Sequence, residues 1–355
     1  MNQERYQEIF LNPVNERLEI ISTEELFDQW EAITGISPEE TVFIVIIPVY
    51  NEESVLAHSI AHLTNQKLPR GSKMIVHVVT NGCTDNSEAI VKEIIVNNTF
   101  DSMEIRLDSI EKAGKALALN HARKIYKEGI MIQLDADTFP TSNAICKLFA
   151  LLASQENCVA GGIMPKRICG DGNKHILAWQ DYFDHQMRTM GGLVGRLLAH
   201  KIELVVDFPH NLGSEDTWLE YWTAYNYGAH AVKFLGRHPK SDVGANYPGV
   251  MNYEEYILQL FRWVAEYEKL LQEFPELLSA VVMSWKRMEQ PSNIIANLKD
   301  IKENPENLSF FDKIVAYYFL KVLGKVAKLK KFREKFGKGS NWESPVTDRV
   351  GALKI

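Results

Sequence analysis

Two aspartates stand two positions apart at the end of a short apolar run, in the stretch QLDADTFP at 133–140. Carboxylates this close repel each other unless a positive charge lies between them. Hard cations such as Mg²⁺ and Mn²⁺ prefer oxygen ligands, and Mg²⁺ is commonly held by one or two carboxylates plus substrate phosphates. Asp135 and Asp137 are therefore candidate metal ligands, on a turn that we expect to face solvent. The structural alternative is a pair of exposed turn aspartates.

Four other polar stretches carry groups that can bind charge or move protons. PVYNEE at 48–53 and TNGCTDNS at 80–87 each follow an apolar run. SEDTWLEYW at 214–222 predicts a helix start with Ser214 as N-cap and two acids in the first turn. GKALALNHA at 114–122 predicts a helix beginning near Lys115, where a cation opposes the helix dipole unless an anion lies nearby. Alone, each stretch is also typical of an ordinary turn or helix start.

The elements that must position these residues alternate between strand and helix. Four apolar, β-branched runs predict strands, at 41–50, 73–80, 103–110 and 129–135. Amphipathic segments between them predict helices, the first with Glu52 and Glu53 in its first turn. This alternation predicts a mostly parallel sheet with helices on both faces. Ligands bind at the carboxyl ends of such strands, so the polar loops that follow them should meet at one edge.

Composition narrows the class of protein. The chain has 355 residues and a formal net charge of −7, which argues against nucleic acid as a partner. No apolar run approaches the roughly 20 residues that span a bilayer. The four cysteines form no CxxC pair, and the first residues are polar rather than a signal peptide. We therefore expect a cytoplasmic protein with reduced thiols.

The order of the motifs resembles that of family 2 glycosyltransferases, which are nucleotide-sugar enzymes of the GT-A fold. The resemblance covers about 41–265, from PVYNEE through NGCTD, GKALALNHA, the D-A-D turn and GSED to QLFRW at 259–263. It implies an α/β protein of the GT-A fold, with a mostly parallel nucleotide-binding sheet flanked by helices. It also implies inverting transfer of a sugar from a nucleoside-diphosphate sugar to an acceptor hydroxyl, with Mn²⁺ or Mg²⁺ as cofactor.

The resemblance further implies roles for individual residues. Asp216 corresponds to the catalytic base, with Glu215 as the fallback, and Asp135 and Asp137 correspond to the metal site. Gln259 and Trp263 correspond to acceptor-binding positions. The positions that correspond to the nucleotide-sugar site are Pro48, Tyr50, Glu52, Asn81, Asp85, Lys115, Asp135 and Arg262.

Some points stay open within this resemblance. Many family members have Asp-Asp-Gly-Ser where this chain has Thr-Asn-Gly-Cys at 80–83. The side chain of Asn81 can accept a hydrogen bond from a base N–H and donate one to a base carbonyl, so uridine, guanosine and other donors remain open. His238 is a candidate third metal ligand, and an ordinary loop histidine is the alternative. The acceptor, whether lipid, glycan or small molecule, is also open.

Two other functions fit part of the pattern. A sugar-phosphate nucleotidyltransferase can share the α/β core, but it usually has a Gly-rich loop where this chain has PVYNEE. A catalytically silent nucleotide-sugar-binding protein of the same fold would not need Asp135, Asp137, Asp216 and Arg262 together. The lack of an apolar segment that could form an export channel favours one sugar per acceptor over polymerisation.

We predict three regions: an N-terminal helical extension at 1–40, a GT-A domain at 41–265 and a helical C-terminal region at 266–355. Within the last, 310–338 carries nine Lys or Arg residues against two acidic ones, with apolar residues at helical spacing. This segment is expected either to pack on the catalytic domain or to lie on an anionic membrane. The second option would make the protein peripheral at the inner membrane surface.

Overall fold

The computed structural model of the chain describes residues 13–97, 102–168, 192–236, 238, 240–249, 259, 262, 266 and 269–280. The strands are β1 (Val42–Val49), β2 (Lys73–Asn81), β3 (Met103–Ile110), β4 (Ile130–Leu134), β5 (Phe139–Pro140), β6 (Ala160–Ile163), β7 (Pro165–Ile168), β8 (Leu197–Lys201), β9 (Val232–Leu235) and β10 (Ala245–Pro248). The α-helices are α1 (Pro13–Ile20), α2 (Thr23–Asp28), α3 (Trp30–Thr34), α4 (Leu56–Thr64), α5 (Ser87–Asn97), α6 (Lys115–Ile125), α7 (Ala144–Ala153) and α8 (Glu215–Tyr227).

Seven strands form the central sheet, in the order β3-β2-β1-β4-β8-β6-β9. The first four are parallel to one another, as are β6 and β9. Strand β8 runs antiparallel to both of its neighbours, β4 and β6. The prediction of a mostly parallel sheet is confirmed, whereas the reversed strand in its middle was not predicted.

The central sheet is buried on both faces, as β1 shows. Phe43, Val45 and Ile47 belong to one hydrophobic cluster, and Ile44 and Ile46 belong to the other. Successive side chains of a strand point to opposite faces, so a continuous β-branched run places apolar groups on both. The predicted α/β architecture with helices on either face is confirmed.

The N-terminal helices share the core of the sheet. Trp30 on α3 is fully buried, and its ring stacks on Phe149 of α7 at 5.9 Å between centroids. The indole N–H of Trp30 donates a hydrogen bond of 2.9 Å to Thr41 Oγ1, at the entrance to β1. The boundaries predicted at 40 and 265 stay predictions, and residues 281–355, with the basic segment at 310–338, lie outside the described residues.

The first helix of the sheet region begins later than predicted. Helix α4 starts at Leu56, so the prediction that Glu52 and Glu53 lie in its first turn is wrong. The physical reason is that both residues bond to the neighbouring loop instead: the backbone N–H of Glu52 donates to Ser87 Oγ at 2.9 Å, and Glu53 Oε2 accepts from the backbone of Asn86 at 2.9 Å.

A small second sheet, in the order β5-β10-β7, lies beside the D-A-D turn, because β5 begins two residues after Asp137. Strand β10 pairs antiparallel with β5 and parallel with β7, and it carries Tyr247. No helix within the described ranges is long and apolar enough to cross a bilayer.

Candidate active site

Two loops at the carboxyl ends of β1 and β2 are joined into one rigid rim. Asn51 adopts a left-handed backbone with φ 53°, and its Oδ1 accepts a hydrogen bond of 2.8 Å from the backbone of Thr84. In return, Asp85 Oδ2 accepts one of 3.0 Å from the backbone of Glu53. Asn and Asp tolerate such turns because their side chains bond to nearby backbone groups. The two predicted loops therefore form one structural unit.

Asn81 links this rim to the start of α6. Its Nδ2 donates to the carbonyl of Val49 at 2.7 Å, and its Oδ1 accepts from the backbone N–H of Gly114 at 2.9 Å. The residue is buried, and its amide oxygen and nitrogen both bond within the protein. The predicted contact of Asn81 with a nucleotide base stays a prediction, and the contacts observed here are with the backbone.

The remaining rim residues lie where the sequence predicted, at the ends of the strands. Pro48 is buried in β1, in register with Val79 of β2, and Tyr50 and Glu52 are half-buried in the loop that follows. Asp85 also accepts a hydrogen bond from the backbone of Ser87 at 3.0 Å, at the start of α5. Their contact with a donor nucleotide stays a prediction.

Lys115 joins the D-A-D turn to the GSED helix. Its Nζ lies 2.6 Å from Asp135 Oδ1 and also contacts Glu215 Oε1. Burial alone would lower the pKa of Lys115, but the carboxylates of Asp135, Glu215 and Asp216 raise it above its usual range. These carboxylates supply the anion expected beside a lysine at a helix start. The ammonium group thus stays charged and holds two separate elements together.

Asp137 is buried, not solvent-facing as the sequence predicted. Only 8% of the residue is exposed, and its Oδ1 lies 2.7 Å from Nη1 of Arg196. The physical reason is that Arg196 lies against the turn, where its carbonyl also accepts the backbone N–H of Asp135 at 3.0 Å. Burial would lower the pKa of Arg196, but Asp137, Tyr247 and Asp135 raise it.

Glu215 is the most buried carboxylate of the cluster. The residue is 3% exposed, and its Oε1 accepts a hydrogen bond of 3.1 Å from Gln133 Nε2 in β4. Burial raises the pKa of Glu215 to about 7, against the opposing effect of Lys115, and the neighbouring carboxylates of Asp216 and Asp135 raise it further.

Asp216 is more accessible than Glu215, and it is half-buried at the start of α8. Its Oδ2 accepts the backbone N–H of Gly195 at 2.7 Å, and its Oδ1 accepts that of Thr217 at 2.7 Å. Ser214 precedes the helix as predicted, but its hydroxyl makes no capping hydrogen bond. Two backbone donors therefore fix the orientation of the Asp216 carboxylate.

Gly195 is where these side chains converge. A Cβ placed on it would lie 3.0 Å from Lys115 Nζ, 3.2 Å from Glu215 Oε1 and 3.3 Å from Asp216 Oδ2. A larger residue would therefore fit only if these side-chain ends moved by a few tenths of an ångström. Gly195 and Arg196 are adjacent, and they connect the base candidate Asp216 with Asp137.

The donor set fits a divalent cation in its chemistry and charge. Four carboxylates converge here, those of Asp135, Asp137, Glu215 and Asp216, against two cationic side chains, so the ionised cluster lacks two positive charges. Carboxylate oxygens are the ligands that Mg²⁺ and Mn²⁺ prefer. Among the described residues, however, no three His, Cys, Asp or Glu side chains are grouped to hold a metal.

His238 is not grouped with the two aspartates. It lies half-buried in the loop between β9 and β10, and its Nδ1 accepts a hydrogen bond of 3.1 Å from the backbone of Lys240. Its predicted role as the third metal ligand stays untested. That loop is held by Asp242, which contacts the fully buried Lys147 at 2.8 Å and Asn143 at 2.6 Å.

The QLFRW motif is described only in part. Gln259 is half-buried and Arg262 is exposed, and both are helical. Trp263 lies outside the described residues, so the predicted acceptor site at Gln259 and Trp263 and the predicted donor contact of Arg262 stay predictions.

Sequence reasoning missed three residues of the cluster: Arg196, Gln133 and Tyr247. A signal existed for Gln133, because a polar residue interrupts the apolar strand IMIQL at 130–134. Arg196 likewise stands alone within the apolar stretch LVGRLLA at 193–199. Tyr247 had no such signal, because it reaches the site through the second sheet.

Comparison with known proteins supports the family resemblance. A family model described as glycosyl transferase family 2 matches residues 44–201. The glycosyltransferase AglE of Haloferax volcanii is 33% identical over 214 residues, which cover 56% of this chain and 67% of AglE.

The fold is also that of solved glycosyltransferases. The mannosyltransferase PcManGT from Pyrobaculum calidifontis, solved with GDP-mannose and Mn²⁺, superposes with a TM-score of 0.52 at 18% identity, covering 83% of each chain. A weaker match, which carries no argument for the fold, is glucosyl-3-phosphoglycerate synthase from Mycobacterium tuberculosis, solved with Mn²⁺, UDP and glucosyl-3-phosphoglycerate, with a TM-score of 0.47 at 17% identity, covering 69% of this chain and 83% of that one. From the family match and the extent of identity with AglE, the chain belongs to glycosyl transferase family 2 and is a glycosyltransferase of the GT-A fold.

Proposed function

We propose that the protein moves one sugar from a nucleoside-diphosphate sugar to an acceptor hydroxyl, with inversion at the anomeric carbon and with a divalent cation at Asp135 and Asp137. The observation that carries the proposal is the convergence of Asp135, Asp137, Glu215 and Asp216 around Lys115 and Arg196. The cluster lies at the carboxyl end of β4, where ligands of such sheets bind.

Asp216 is the better base of the two acids at the start of α8. A base must reach the acceptor hydroxyl, and Asp216 is half-buried while Glu215 is almost fully enclosed. Glu215 is also bound to Lys115 and Gln133, which assigns it a positioning role. With one base on one side of the sugar, attack comes from the face opposite the leaving group and inverts the anomeric centre.

The leaving diphosphate needs positive charge as its bond to the sugar breaks. Asp135 and Asp137 would hold a divalent cation, which would supply such charge and orient the phosphates. Lys115 keeps Asp135 in place, because its ammonium group lies between that carboxylate and Glu215. PcManGT, which shares the fold, was solved with Mn²⁺ and a guanosine-diphosphate sugar, and we propose the same class of donor and of cation for this protein.

Replacing Asp216 with Asn tests the proposal directly. The amide keeps the shape of the side chain but cannot take a proton, so kcat should fall by about 10²–10⁴-fold, the usual contribution of a positioned base. Donor affinity should change little, because the proposed base faces the acceptor. Release of nucleoside diphosphate measures turnover, and Asp28→Asn on the exposed end of α2 is the matched control. Near-normal turnover of Asp216→Asn would transfer the base role to Glu215.

The donor is identified by thermal shift, with UDP-, GDP-, dTDP- and CDP-sugars in the presence and absence of Mn²⁺. A ligand at a hundredfold excess over its Kd stabilises the folded state by about 2.7 kcal/mol, which such a measurement detects. Family membership argues against the nucleotidyltransferase alternative, since release of pyrophosphate is not expected. A protein that binds a donor but releases no nucleoside diphosphate with any acceptor would instead be the catalytically silent alternative.

We further infer that the enzyme is cytoplasmic. We also infer that its basic segment 310–338 binds an anionic membrane surface. The support is the excess of seven positive charges in that segment within a chain of net charge −7. A lipid-linked acceptor would suit this arrangement.

A further inference from the structure

Arg196 is held in the site by three separate contacts. Its Nη1 lies 2.7 Å from Asp137 Oδ1, and its guanidinium carbon stacks 4.0 Å from the centre of the Tyr247 ring. Its own carbonyl accepts the backbone N–H of Asp135, which fixes the distance between Arg196 and the D-A-D turn. The side chain is 15% exposed, so the pair is largely shielded from water.

We infer that Arg196 is an internal counter-ion of Asp137 and must release Oδ1 of Asp137 before this oxygen can ligate a divalent cation. The inference rests on the proposed function, because it takes the D-A-D turn as the cation site. It adds a positioning residue that links cation binding to diphosphate binding.

Competition follows from distance and charge. A cation ligated by a carboxylate oxygen lies about 2.1 Å from it for Mg²⁺ and slightly further for larger ions. A guanidinium nitrogen 2.7 Å from Asp137 Oδ1 would then repel the cation at close range in a shielded site. The two therefore compete for Oδ1 of Asp137, and the ion pair with Arg196 must open before this oxygen ligates the cation.

Lys115 and Arg196 differ in the contacts that remain to them after a cation binds the aspartate with which each is paired. If a cation takes Asp135, Lys115 still contacts Glu215. If a cation takes Asp137, Arg196 keeps the ring of Tyr247 but loses its close carboxylate. A shielded guanidinium then needs another anion. The diphosphate of the donor arrives with the cation and is such an anion, since Arg binds phosphate with two parallel hydrogen bonds. Cation and diphosphate should therefore bind cooperatively.

The test measures binding of Mn²⁺ alone, from the loss of the electron paramagnetic resonance signal of the free ion. Arg196→Met removes the competing charge and keeps an unbranched apolar stem beside Tyr247. It should bind Mn²⁺ about tenfold to a hundredfold more tightly than the wild type, which corresponds to one charged hydrogen bond. Arg106→Met is the matched control, because Arg106 pairs with Glu104 at 2.6 Å on β3, and its affinity for Mn²⁺ should not change.

The second measurement is cooperativity with UDP and with GDP, each at saturation. In the wild type, the nucleotide that binds should raise the affinity for Mn²⁺. This gain should be smaller in Arg196→Met. The factor by which the gain falls should equal the factor by which the substitution raises the affinity for Mn²⁺ alone. Turnover of Arg196→Met should fall although its cation site is stronger, a combination that a merely structural ion pair would not give.

Two outcomes separate the inference from the function it rests on. If neither nucleotide binding nor turnover of the wild type responds to Mn²⁺, the proposed cation dependence fails, and the inference fails with it. If both respond but Arg196→Met binds Mn²⁺ no more tightly than the wild type, only the inference about Arg196 is overturned. If Arg196→Met fails to fold, Tyr247→Leu replaces it, because this change removes the ring that holds the guanidinium. Tyr247→Leu should then bind Mn²⁺ more tightly than Tyr247→Phe, which keeps the ring. Equal affinities of these two variants would reject the inference.

Discussion

Glu215 should make the stability of the protein depend on pH, and Glu215→Gln should remove that dependence. Burial raises the pKa of Glu215 in the folded protein to about 7, from 4.5 for the free side chain. A carboxyl group whose folded pKa is raised adds stability below its unfolded pKa, and this stability is lost as the pH rises through the folded pKa. Between about pH 5 and pH 8 the loss amounts to about 2–3 kcal/mol, at 1.36 kcal/mol per pKa unit. Gln is neutral throughout, so the variant should gain on the wild type by this amount.

Urea unfolding of both proteins at the two pH values measures the effect, because the difference between variant and wild type cancels most other titrating groups. Glu93→Gln is the control, since Glu93 is exposed on α5 and its replacement should show no such change. A free-energy difference between Glu215→Gln and wild type that stays constant from pH 5 to pH 8 would refute the reasoning. It would mean that Lys115, rather than burial, decides the charge of Glu215.

Two further predictions concern charge. Lys115→Met should destabilise the fold by about 3–5 kcal/mol in urea unfolding, because it leaves Asp135 and Glu215 without their shared cation. Combining Lys115→Met with Glu215→Gln should cost less stability than the sum of the two single changes, and strict additivity would argue against a direct pair. The basic segment 310–338 should bind anionic vesicles more strongly than neutral ones and lose that binding as salt rises, at about 1 kcal/mol per Lys or Arg near the surface. Co-sedimentation with Lys325, Lys328, Lys330 and Lys331 changed to Gln checks this, and equal binding to neutral vesicles would exclude it.

The sequence predicts the part of the site that follows parallel strands. Strand β1 is a continuous apolar run and β2 and β4 are mostly apolar, and the polar loop residues follow them directly. Because adjacent parallel strands end at the same edge, a one-dimensional pattern is enough to bring Asp85 and Asp135 to one rim. Asp216 required the motif order of the family, since nothing in its own helix start distinguishes a base from an ordinary first-turn acid.

The partners of these residues could not be read from the pattern. Gly195 and Arg196 directly precede the antiparallel strand β8, which lies between β4 and β6, and the five residues of β8 carry no periodic signal that would place it there. The sequence therefore predicts that Asp137 faces solvent, although Arg196 contacts it and it is buried. The burial of one acidic side chain depends on a pairing between segments about 60 residues apart, and local propensity contains no information about that pairing.

The two aspartates of the D-A-D turn now have a physical explanation that does not depend on the family. Each has its own cation from a different element, Lys115 from α6 and Arg196 from the segment before β8, so neither is left buried without a partner. Glu215 and Asp216 add negative charge that these two cations do not balance. Burial raises the pKa of Glu215 to about 7, and the neighbouring carboxylates contribute to the rise. A divalent cation at the turn would neutralise the excess and lower that pKa. If the cation binds as proposed, Mn²⁺ together with the nucleotide should therefore reduce the pH dependence of stability in the wild type, toward that of Glu215→Gln.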